Sequence, residues 1–320
     1  MTGRLERKIS GIHHVTAICS DPQPNIDFYT SILGVRLVKL TVNFDDPHSY
    51  HIYYGDTRGK PGTILTFFAW PGAPNGWRGT GQVTAVSFSV PARSLDYWRN
   101  HLRKNGVKIE NESDRFDDHV ITLQDPDGLL LELVGNPRDD REGWTHGPVP
   151  SEFAIKGFYG VTLSEDGYEQ TSSLLTDTMG FRFTGQEGNR YRYRASDSEA
   201  ASIVDVLCLP GANTGQVRVG TAHHVAWRTP NDEEQKKWRE ELVRARLNVT
   251  PIIDRKYFHS IYFREPGRVL FEIATDPPGF TIDEPLEHLG STLALPLWLE
   301  PMRAQLESEL PPIKVPTSHI

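Results

Sequence analysis

Cysteine is scarce in this sequence, with only Cys19 and Cys208 among 320 residues. Two thiols in apolar, strand-like runs are too few for a disulfide framework, so we expect both to be buried free thiols. No stretch reaches the roughly 18 to 20 apolar residues that a membrane span requires. The polar start, MTGRLERKIS, lacks the apolar segment of a signal peptide. These absences predict a soluble, cytoplasmic protein.

A surplus of positive charge is also missing. The chain has 34 basic and 42 acidic residues, a net charge of -8, and its Lys and Arg residues are scattered. No basic stripe can follow a phosphate backbone, so nucleic acid is not expected as a partner. A composition of 38% hydrophobic and 10% aromatic residues is typical of globular proteins, and 320 residues fit two ordinary domains.

The chain contains one sequence unit four times, at intervals of about 70 residues. Each unit opens with a short apolar strand that carries a valine in register. The openings are GIHHVTAI at Gly11, QVTAVSFSV at Gln82, KGFYGVTL at Lys156 and TAHHVAWR at Thr221, with Val15, Val86, Val161 and Val225 aligned. An amphipathic helical pattern follows each opening, and three strand-like segments complete each unit. The unit is therefore predicted to be βαβββ.

Gly- and Pro-rich joints separate the four units, which we call modules 1 to 4. The modules are predicted at about 10–75, 82–137, 155–210 and 220–276. The longest and most polar joint, NPRDDREGWTHGPVP, separates a predicted N-terminal domain at 1–140 from a C-terminal domain at 151–276. A C-terminal tail occupies 277–320.

A single βαβββ unit forms an open half-cup, which cannot close a core alone, so the modules should pair. The predicted fold class is α+β, with four modules paired into two half-open barrels. This pattern resembles the vicinal oxygen chelate superfamily, which includes glyoxalase I, extradiol ring-cleaving dioxygenases and antibiotic-sequestering proteins. The resemblance implies a metal site in a cleft, with ligands on the first and last strands of paired modules.

Strand alternation selects the candidate ligands. If the aligned valine faces the helix, His14 faces the cup, and the same argument selects His224 over His223. Modules 2 and 3 carry Ala85 and Gly160 at the equivalent position, and neither residue can bind a metal. On the last strands, Glu132 and Glu272 each interrupt an apolar run. Buried glutamate is rare unless it is paired or binds a metal.

The pairing of the modules decides which ligands meet. Pairing module 1 with 2 and module 3 with 4 gives two incomplete sites, one with His14 and Glu132, the other with His224 and Glu272. Pairing module 1 with 4 unites His14, His224 and Glu272 as the two-histidine, one-carboxylate triad of non-haem Fe(II) oxygenases. We favour the second arrangement. A single strand histidine is otherwise usually a packed core residue, and Glu132 alone is expected to be salt-bridged or hydrogen-bonded.

Several segments resemble one branch of the superfamily more closely, the ring-cleaving dioxygenases that act on hydroquinones and substituted diphenols. These are Ile12–Thr16, Gly188–Tyr193, the pair His223–His224, Asp254–Tyr262 and the tail from Gly279 to Pro312. The resemblance covers nearly the whole chain. It implies that His14, His224 and Glu272 are metal ligands and that the pocket includes His13, Thr16, His223, Arg255, His259 and Tyr262. One departure from the general extradiol signature is Arg268, where a small residue is expected.

The predicted function is oxygen-dependent cleavage of a small aromatic diol by a centre containing Fe(II), with Mn(II) as the alternative. Arg255 is expected to stabilise developing negative charge, and Tyr262 and His259 to exchange protons. In the simpler interpretation, Arg255 forms a surface ion pair, Tyr262 is an aromatic residue packed on a strand, and His259 is a solvent-exposed edge residue. The alternatives are an extradiol catechol dioxygenase, a glyoxalase-like isomerase using Glu132 as a further ligand, and a metal-free binding module. A homo-oligomer is left open.

Overall fold

A computed structural model describes residues 8–195 and 200–316. Residues 1–7 of the predicted N-terminal domain and 317–320 of the tail lie outside the described residues. The strands are β1 Ile12–Cys19, β2 Arg36–Asn43, β3 Asp46–Gly55, β4 Ile64–Ala69, β5 Gln82–Val90, β6 Ile109–Arg115, β7 Asp118–Gln124, β8 Leu130–Gly135, β9 Gly157–Glu165, β10 Arg182–Glu187, β11 Arg190–Arg194, β12 Ile203–Cys208, β13 Ala222–Thr229, β14 Ile253–Asp254, β15 Phe258–Arg264 and β16 Leu270–Pro278. The helices are α1 Pro22–Asp27, α2 Leu95–Lys104, α3 Glu169–Ser173, α4 Asp232–Arg244 and α5 Arg303–Glu309.

These strands form two curled sheets of eight strands each. The first sheet has the order β14-β15-β16-β13-β1-β4-β3-β2, and the second has the order β10-β11-β12-β9-β5-β8-β7-β6. The first sheet therefore joins module 1 to module 4, and the second joins module 2 to module 3. The α+β fold of βαβββ modules is confirmed, as is the favoured pairing. Because each sheet takes strands from both halves of the chain, the division into domains at 1–140 and 151–276 stays a prediction.

Helix α4 illustrates how a module covers one face of its sheet. Asn231 caps its first turn, accepting a hydrogen bond from the Glu234 amide at 2.9 Å, and acidic residues fill that turn. Trp238 and Leu242, one turn apart, are buried in the core between helix and sheet.

Strands β1 and β13 meet as antiparallel neighbours in the middle of the first sheet, with Val15 opposite Val225. The register shifts twice along this pair. One residue is inserted between Ile12 and His14 on β1, and one before His224 on β13. The inserted residues of these two β-bulges are His13 and His223. A bulge re-aims neighbouring side chains, so consecutive residues need not point to opposite faces.

The C-terminal tail crosses the open side of the first sheet and joins its two edges. The Gly279 amide donates to the Tyr257 carbonyl beside β15, and the Ala294 amide donates to the Leu40 carbonyl on β2, each at 2.9 Å. Between these points Lys39, which is fully buried, pairs with Asp283 at 2.7 Å and with Glu284. The tail therefore helps to close this half-barrel.

Both cysteines are free, as expected. Cys19 is buried at the end of β1, whereas Cys208 is partly exposed because β12 ends there, so its expected burial was wrong. Among the described residues, no helix has the length and apolar character needed to cross a bilayer.

Candidate metal centre

Three neighbouring strands bring His14, His224 and Glu272 together. His14 lies opposite Ala226 across β1 and β13, and Ala226 lies opposite Glu272 across β13 and β16. His224 is two positions before Ala226, so its side chain has the same orientation. His14 Nε2 and His224 Nε2 lie 3.2 and 2.9 Å from Glu272 Oε2. One potential ligand atom from each residue lies within 4.8 Å of the others, and all three residues are buried.

Only one of the two carboxylate oxygens of Glu272 accepts a hydrogen bond from the protein. Ser260 donates a hydrogen bond to Oε1, while the fully buried Oε2 has no hydrogen bond despite two imidazole nitrogens nearby. Those two nitrogens lie within ion-pair distance of this oxygen. An uncompensated buried oxygen is costly. Two imidazole nitrogens and this oxygen fit a divalent transition-metal ion.

The protonation of the site suits metal binding. Burial lowers the pKa of His224, which favours the neutral imidazole. Burial alone would raise the pKa of Glu272, but His14 and His224 hold it well below its ordinary value, so the group is a carboxylate. Neutral imidazole and ionised carboxylate are the forms that coordinate metals.

The hydrogen bonds of His13 determine which nitrogen of His14 carries a proton. His13 Nε2 lies 3.1 Å from the carbonyl oxygen of Thr275, an acceptor only, so this nitrogen must donate. Burial, and then His14, lower the pKa of His13 well below its ordinary value, so the ring is neutral and its Nδ1 accepts. His14 Nδ1, at 2.9 Å, must therefore donate to it. If the ring of His14 is neutral, its lone pair is on Nε2, facing Glu272.

The second histidine pair has the same construction. His223 Nδ1 lies 2.7 Å from His224 Nδ1, and burial, followed by His224, lowers the pKa of His223 to about 3. If His224 presents its Nε2 lone pair to Glu272, its Nδ1 donates to His223. Each bulge thus pairs a ligand candidate with a histidine that can hold its ring orientation and tautomer.

The triad lies at the base of a cavity of about 360 Å³, within the size range of ligand sites. Aromatic and polar side chains line it, including His14, Thr16, Phe44, Asp45, His51, Tyr53, Phe68, Trp70, His223, His224, Arg255, Phe258 and Tyr262. Arg255 donates from Nε to Tyr262 Oη at 3.3 Å, and its Nη1 lies 2.9 Å from Asp45. Burial lowers the pKa of Arg255, but Tyr262 and Asp45 raise it by more, so the guanidinium stays protonated and is paired with Asp45 at the cavity wall.

Most predicted pocket residues are found at this cavity. Thr16, His223, Arg255 and Tyr262 line it, and His13 lies behind His14. His259 does not reach it: the ring faces the helical side of β15, where Nδ1 contacts Asp232 at 2.6 Å. Its neighbours Phe258 and Ser260 face the cup, so strand alternation places His259 on the opposite face. Its expected role in the pocket is therefore wrong.

Three further residues line the cavity that were not predicted from the sequence: His51 and Tyr53 on β3, and Asp45 in the preceding turn. His51 lies in one of the strand-like segments of module 1, and no other module has an equivalent histidine that would mark it as unusual. The alternation of the strand would have placed His51 and Tyr53 on one face. Whether that face points into the cup can be predicted only when the position of β3 in the sheet is known.

Glu132 lies at the equivalent position in the second sheet, where no metal cluster forms among the described residues. The guanidinium of Arg115 binds both of its carboxylate oxygens, one at 2.7 Å, and Arg115 also approaches Asp205 at 3.7 Å. Burial alone would raise the pKa of Glu132, but Arg115 holds it below its ordinary value. Glu132 is thus ion-paired in the second sheet. It does not join the triad as the fourth ligand that a glyoxalase-like centre needs.

Comparison with known proteins identifies the family. The model of the Glyoxalase/Bleomycin resistance protein/Dioxygenase superfamily matches residues 11–133 and 161–282. MhqO of Bacillus subtilis (strain 168), provisionally named a ring-cleaving dioxygenase, is 45% identical over 97% of this chain and 99% of its own. The chlorohydroquinone/hydroquinone 1,2-dioxygenase of Sphingobium indicum is 34% identical over 95% of this chain and 96% of its own.

A solved structure agrees with these relatives. The crystal structure of a provisionally named dioxygenase from Bacillus subtilis superposes with a TM-score of 0.93 at 46% identity, covering 97% of this chain and 99% of that chain. The chain belongs to the Glyoxalase/Bleomycin resistance protein/Dioxygenase superfamily and, within it, to the ring-cleaving dioxygenases.

Proposed function

We propose that this protein is an Fe(II)-dependent dioxygenase that opens the ring of hydroquinone-type aromatic diols with O2, and that His14, His224 and Glu272 hold the ion. The observation that carries the proposal is Glu272 Oε2, a fully buried carboxylate oxygen without a hydrogen bond that faces two imidazole nitrogens. Two histidines and one carboxylate form the facial triad typical of non-haem Fe(II) oxygenases. Mn(II) is the alternative ion, since it accepts the same ligands.

The substrate class is proposed from the cavity and the relatives together. The cavity is aromatic-lined and of a size for one small ring, and one relative is named a chlorohydroquinone/hydroquinone 1,2-dioxygenase. When bound, the ion lowers the pKa of a coordinated phenol and leaves positions for substrate and O2. A catechol would use the same triad, so catechol cleavage is the nearest alternative.

Protein groups around the triad have separate proposed roles. Arg255 and Tyr262 form a donor pair at one wall and stabilise negative charge on a phenolic oxygen. His13 and His223 hold the rings of the two histidine ligands. Thr16, next to His14 on β1, offers a hydroxyl to the cavity. Phe68 and Phe258 exclude water from the ring-binding space.

The proposal is tested by purifying the protein without oxygen, loading Fe(II), and adding hydroquinone, methylhydroquinone, chlorohydroquinone or catechol. Oxygen uptake and product absorbance are followed together. We expect uptake in step with ring opening, fastest with the hydroquinones. Fully loaded protein that consumes no oxygen with any of these diols would refute the dioxygenase proposal.

The ligand assignment has a matched control in the chain itself. Glu272→Gln removes the carboxylate of the triad and is expected to abolish tight metal binding and oxygen uptake. Glu132→Gln makes the same change at the equivalent position of the second sheet, where Arg115 binds the carboxylate, and is expected to retain the metal. Loss of metal in Glu132→Gln with retention in Glu272→Gln would reject the assignment.

A further inference from the structure

His51 and Tyr53 project from β3 toward the same cavity as the triad. Tyr53 lies opposite Thr66 on β4, Thr66 lies opposite Thr16 on β1, and Thr16 lies opposite His224 on β13. Tyr53 therefore shares a row across four strands with His224. Both His51 and Tyr53 line the cavity, while the alternating residues Ile52 and Tyr54 pack in the core on the other face.

A chain of hydrogen bonds fixes the proton positions in this row. Thr66 Oγ1 donates to Thr16 Oγ1 at 3.0 Å, which commits its one proton. His51 Nε2 lies 2.8 Å from Thr66 Oγ1, so this nitrogen must be the donor. Burial, and then His14 and His224, lower the pKa of His51 well below its ordinary value, which favours a neutral ring. The other nitrogen, Nδ1, is therefore an acceptor.

The hydroxyl of Tyr53 completes the chain. Its oxygen lies 2.9 Å from His51 Nδ1, so Tyr53 must donate its only proton to that nitrogen. Burial raises the pKa of Tyr53 well above its ordinary value, so the phenol keeps this proton. With the proton committed, Tyr53 can offer the cavity only lone pairs. A ligand atom that meets Tyr53 has to bring a proton of its own.

The other side of the cavity has the opposite character. Arg255 is a donor only; it donates to Tyr262 Oη at 3.3 Å and pairs with Asp45 at 2.9 Å. Module 1 thus contributes an acceptor through Tyr53, and module 4 contributes donors. A diol with one ionised oxygen and one intact hydroxyl matches both walls.

We infer that Tyr53 is a specificity-determining residue that requires a second, free hydroxyl on the aromatic substrate, and that His51 is a positioning residue that keeps Tyr53 an acceptor. This inference rests on the proposed function and narrows its substrates to diols over monohydric phenols and their ethers. An ether oxygen placed against Tyr53 would face lone pairs with no proton between them, leaving a buried acceptor unpaired.

The test compares the binding of hydroquinone and 4-methoxyphenol, which share a ring and differ in that a methyl group replaces one hydroxyl proton. Dissociation constants are measured without oxygen on the Fe(II)-loaded protein. Wild-type protein is expected to prefer hydroquinone on the order of 10- to 100-fold. Tyr53→Phe is expected to reduce this preference to about threefold or less, since the acceptor is gone. An unchanged preference in Tyr53→Phe, or none in wild type, would overturn the inference.

Tyr54→Phe is the matched control. This variant loses a tyrosine hydroxyl group, as Tyr53→Phe does. The hydroxyl of Tyr54, however, donates to Asn25 Oδ1 at 2.8 Å in the core on the opposite face of the sheet. Its variant is expected to keep the wild-type preference for hydroquinone, whatever happens to its stability. A fall in preference as large as that of Tyr53→Phe would assign the effect to general loosening of β3 and contradict a specific role.

Two substitutions of His51 separate positioning from packing. Gln can accept from Tyr53 and donate to Thr66, so His51→Gln should preserve the preference for the diol. Phe can do neither, so His51→Phe frees the Tyr53 proton to donate and should improve 4-methoxyphenol binding relative to hydroquinone. Equal preferences in the two variants would reject the role of His51.

The role of Tyr53 in binding and the proposed ring cleavage can be refuted independently of each other. If the diol preference follows Tyr53 but no ring is opened, the proposed function falls and the specificity role stands. If hydroquinones are cleaved but the preference ignores Tyr53, only this inference falls.

Discussion

Each ligand candidate on the central strands follows directly after another histidine, and the structure gives that doubling a physical purpose. A lone histidine can present either nitrogen to an ion. His13 removes this freedom for His14, because its own Nε2 is committed to the Thr275 carbonyl at 3.1 Å. Such partners typically account for a 10- to 100-fold difference in metal affinity.

Replacing His13 with Phe should therefore weaken metal binding without removing a ligand. His14 Nδ1 loses its acceptor, and the ring can rotate or change tautomer. We expect His13→Phe to reduce the affinity for Fe(II) or Co(II) by roughly 10- to 100-fold, measured by competition with a chelator. His259→Asn is the control, since His259 lies on β15 with its ring facing Asp232 outside the cavity. Equal affinities in wild type and His13→Phe would contradict this role.

At the residue scale, the repeat made the triad predictable. His14 and His224 occupy one module position twice, and Glu272 shares its own position with Glu132. His51 and Tyr53 occur in module 1 alone, so comparison between modules could not reveal them. His259 was misassigned because the resemblance supplied the residue type, while strand alternation turned its side chain to the helical face.

Two carboxyl groups, one at each of the turns that precede β8 and β16, are buried. Glu165, the last residue of β9, packs against Gly267 in the turn before β16. A Cβ atom at position 267 would lie 2.4 Å from the carboxyl carbon of Glu165. Both carboxyl oxygens of Glu165 are buried without a hydrogen bond. Burial, and then Glu265, raise its pKa to about 8. In the turn before β8, burial raises the pKa of Asp125 to about 7, although Tyr29, Asp127 and Leu129 donate hydrogen bonds to its carboxylate.

These pKa values predict that stability falls as pH rises. Between the ordinary carboxyl pKa of 4.5 and the folded value of about 8 for Glu165, the folded protein binds a proton that the unfolded chain has lost. Stability from this group is therefore complete below the unfolded pKa and declines until pH passes the folded pKa.

Glu165→Gln should remove the contribution of this group, so its unfolding free energy should decline less than that of wild type between pH 5 and pH 8, a window set by the raised pKa. Urea unfolding at several pH values measures the difference. Glu169→Gln, at the exposed start of α3, serves as the control. A decline in Glu165→Gln as steep as that of wild type would show that Glu165 does not hold this proton.

At the scale of elements, strand and helix order followed from the sequence because apolar periodicity alternates regularly in each module. The bulges at His13 and His223 could not be predicted in this way. A bulge depends on the pairing of two strands from opposite ends of the chain, and it leaves no periodic mark on either strand.

The molecule carries two sheets of the same construction, but their concave faces differ in chemistry. The first presents the triad. In the second, Arg115 binds Glu132, and Arg192 binds Asp205 at 2.7 Å. Arginine groups thus compensate the carboxylates that could otherwise bind a cation. We expect one tightly bound ion per chain by elemental analysis of metal-saturated protein, and two ions would contradict the division between the sheets.

The tail supplies both negative partners of one buried charge on the first sheet. Lys39 is fully buried on β2, and Asp283 and Glu284 supply its negative partners. The double variant Asp283→Asn and Glu284→Gln leaves this charge uncompensated and should lower the unfolding free energy by about 3 kcal/mol. Thermal or urea unfolding provides the measurement, with exposed Glu287→Gln as the control. Unchanged stability would show that the tail does not clamp β2.

At the scale of the molecule, the pairing of modules 1 and 4 was predictable because it alone assembles three candidate ligands. The course of the tail was not, since its short helices and turns carry little periodic signal. Its position depends on buried contacts such as Lys39 with Asp283, which local sequence does not reveal.

The central claim is that the triad supports ring cleavage by a dioxygenase. Its most direct test is a single turnover of Fe(II)-loaded protein with methylhydroquinone under ¹⁸O2, with the product reduced immediately to prevent exchange of its aldehyde oxygen. The account predicts a ring-opened product carrying both labelled atoms in wild type and in Glu132→Gln, and none in Glu272→Gln. A product with an intact ring, or with label in Glu272→Gln, would contradict it.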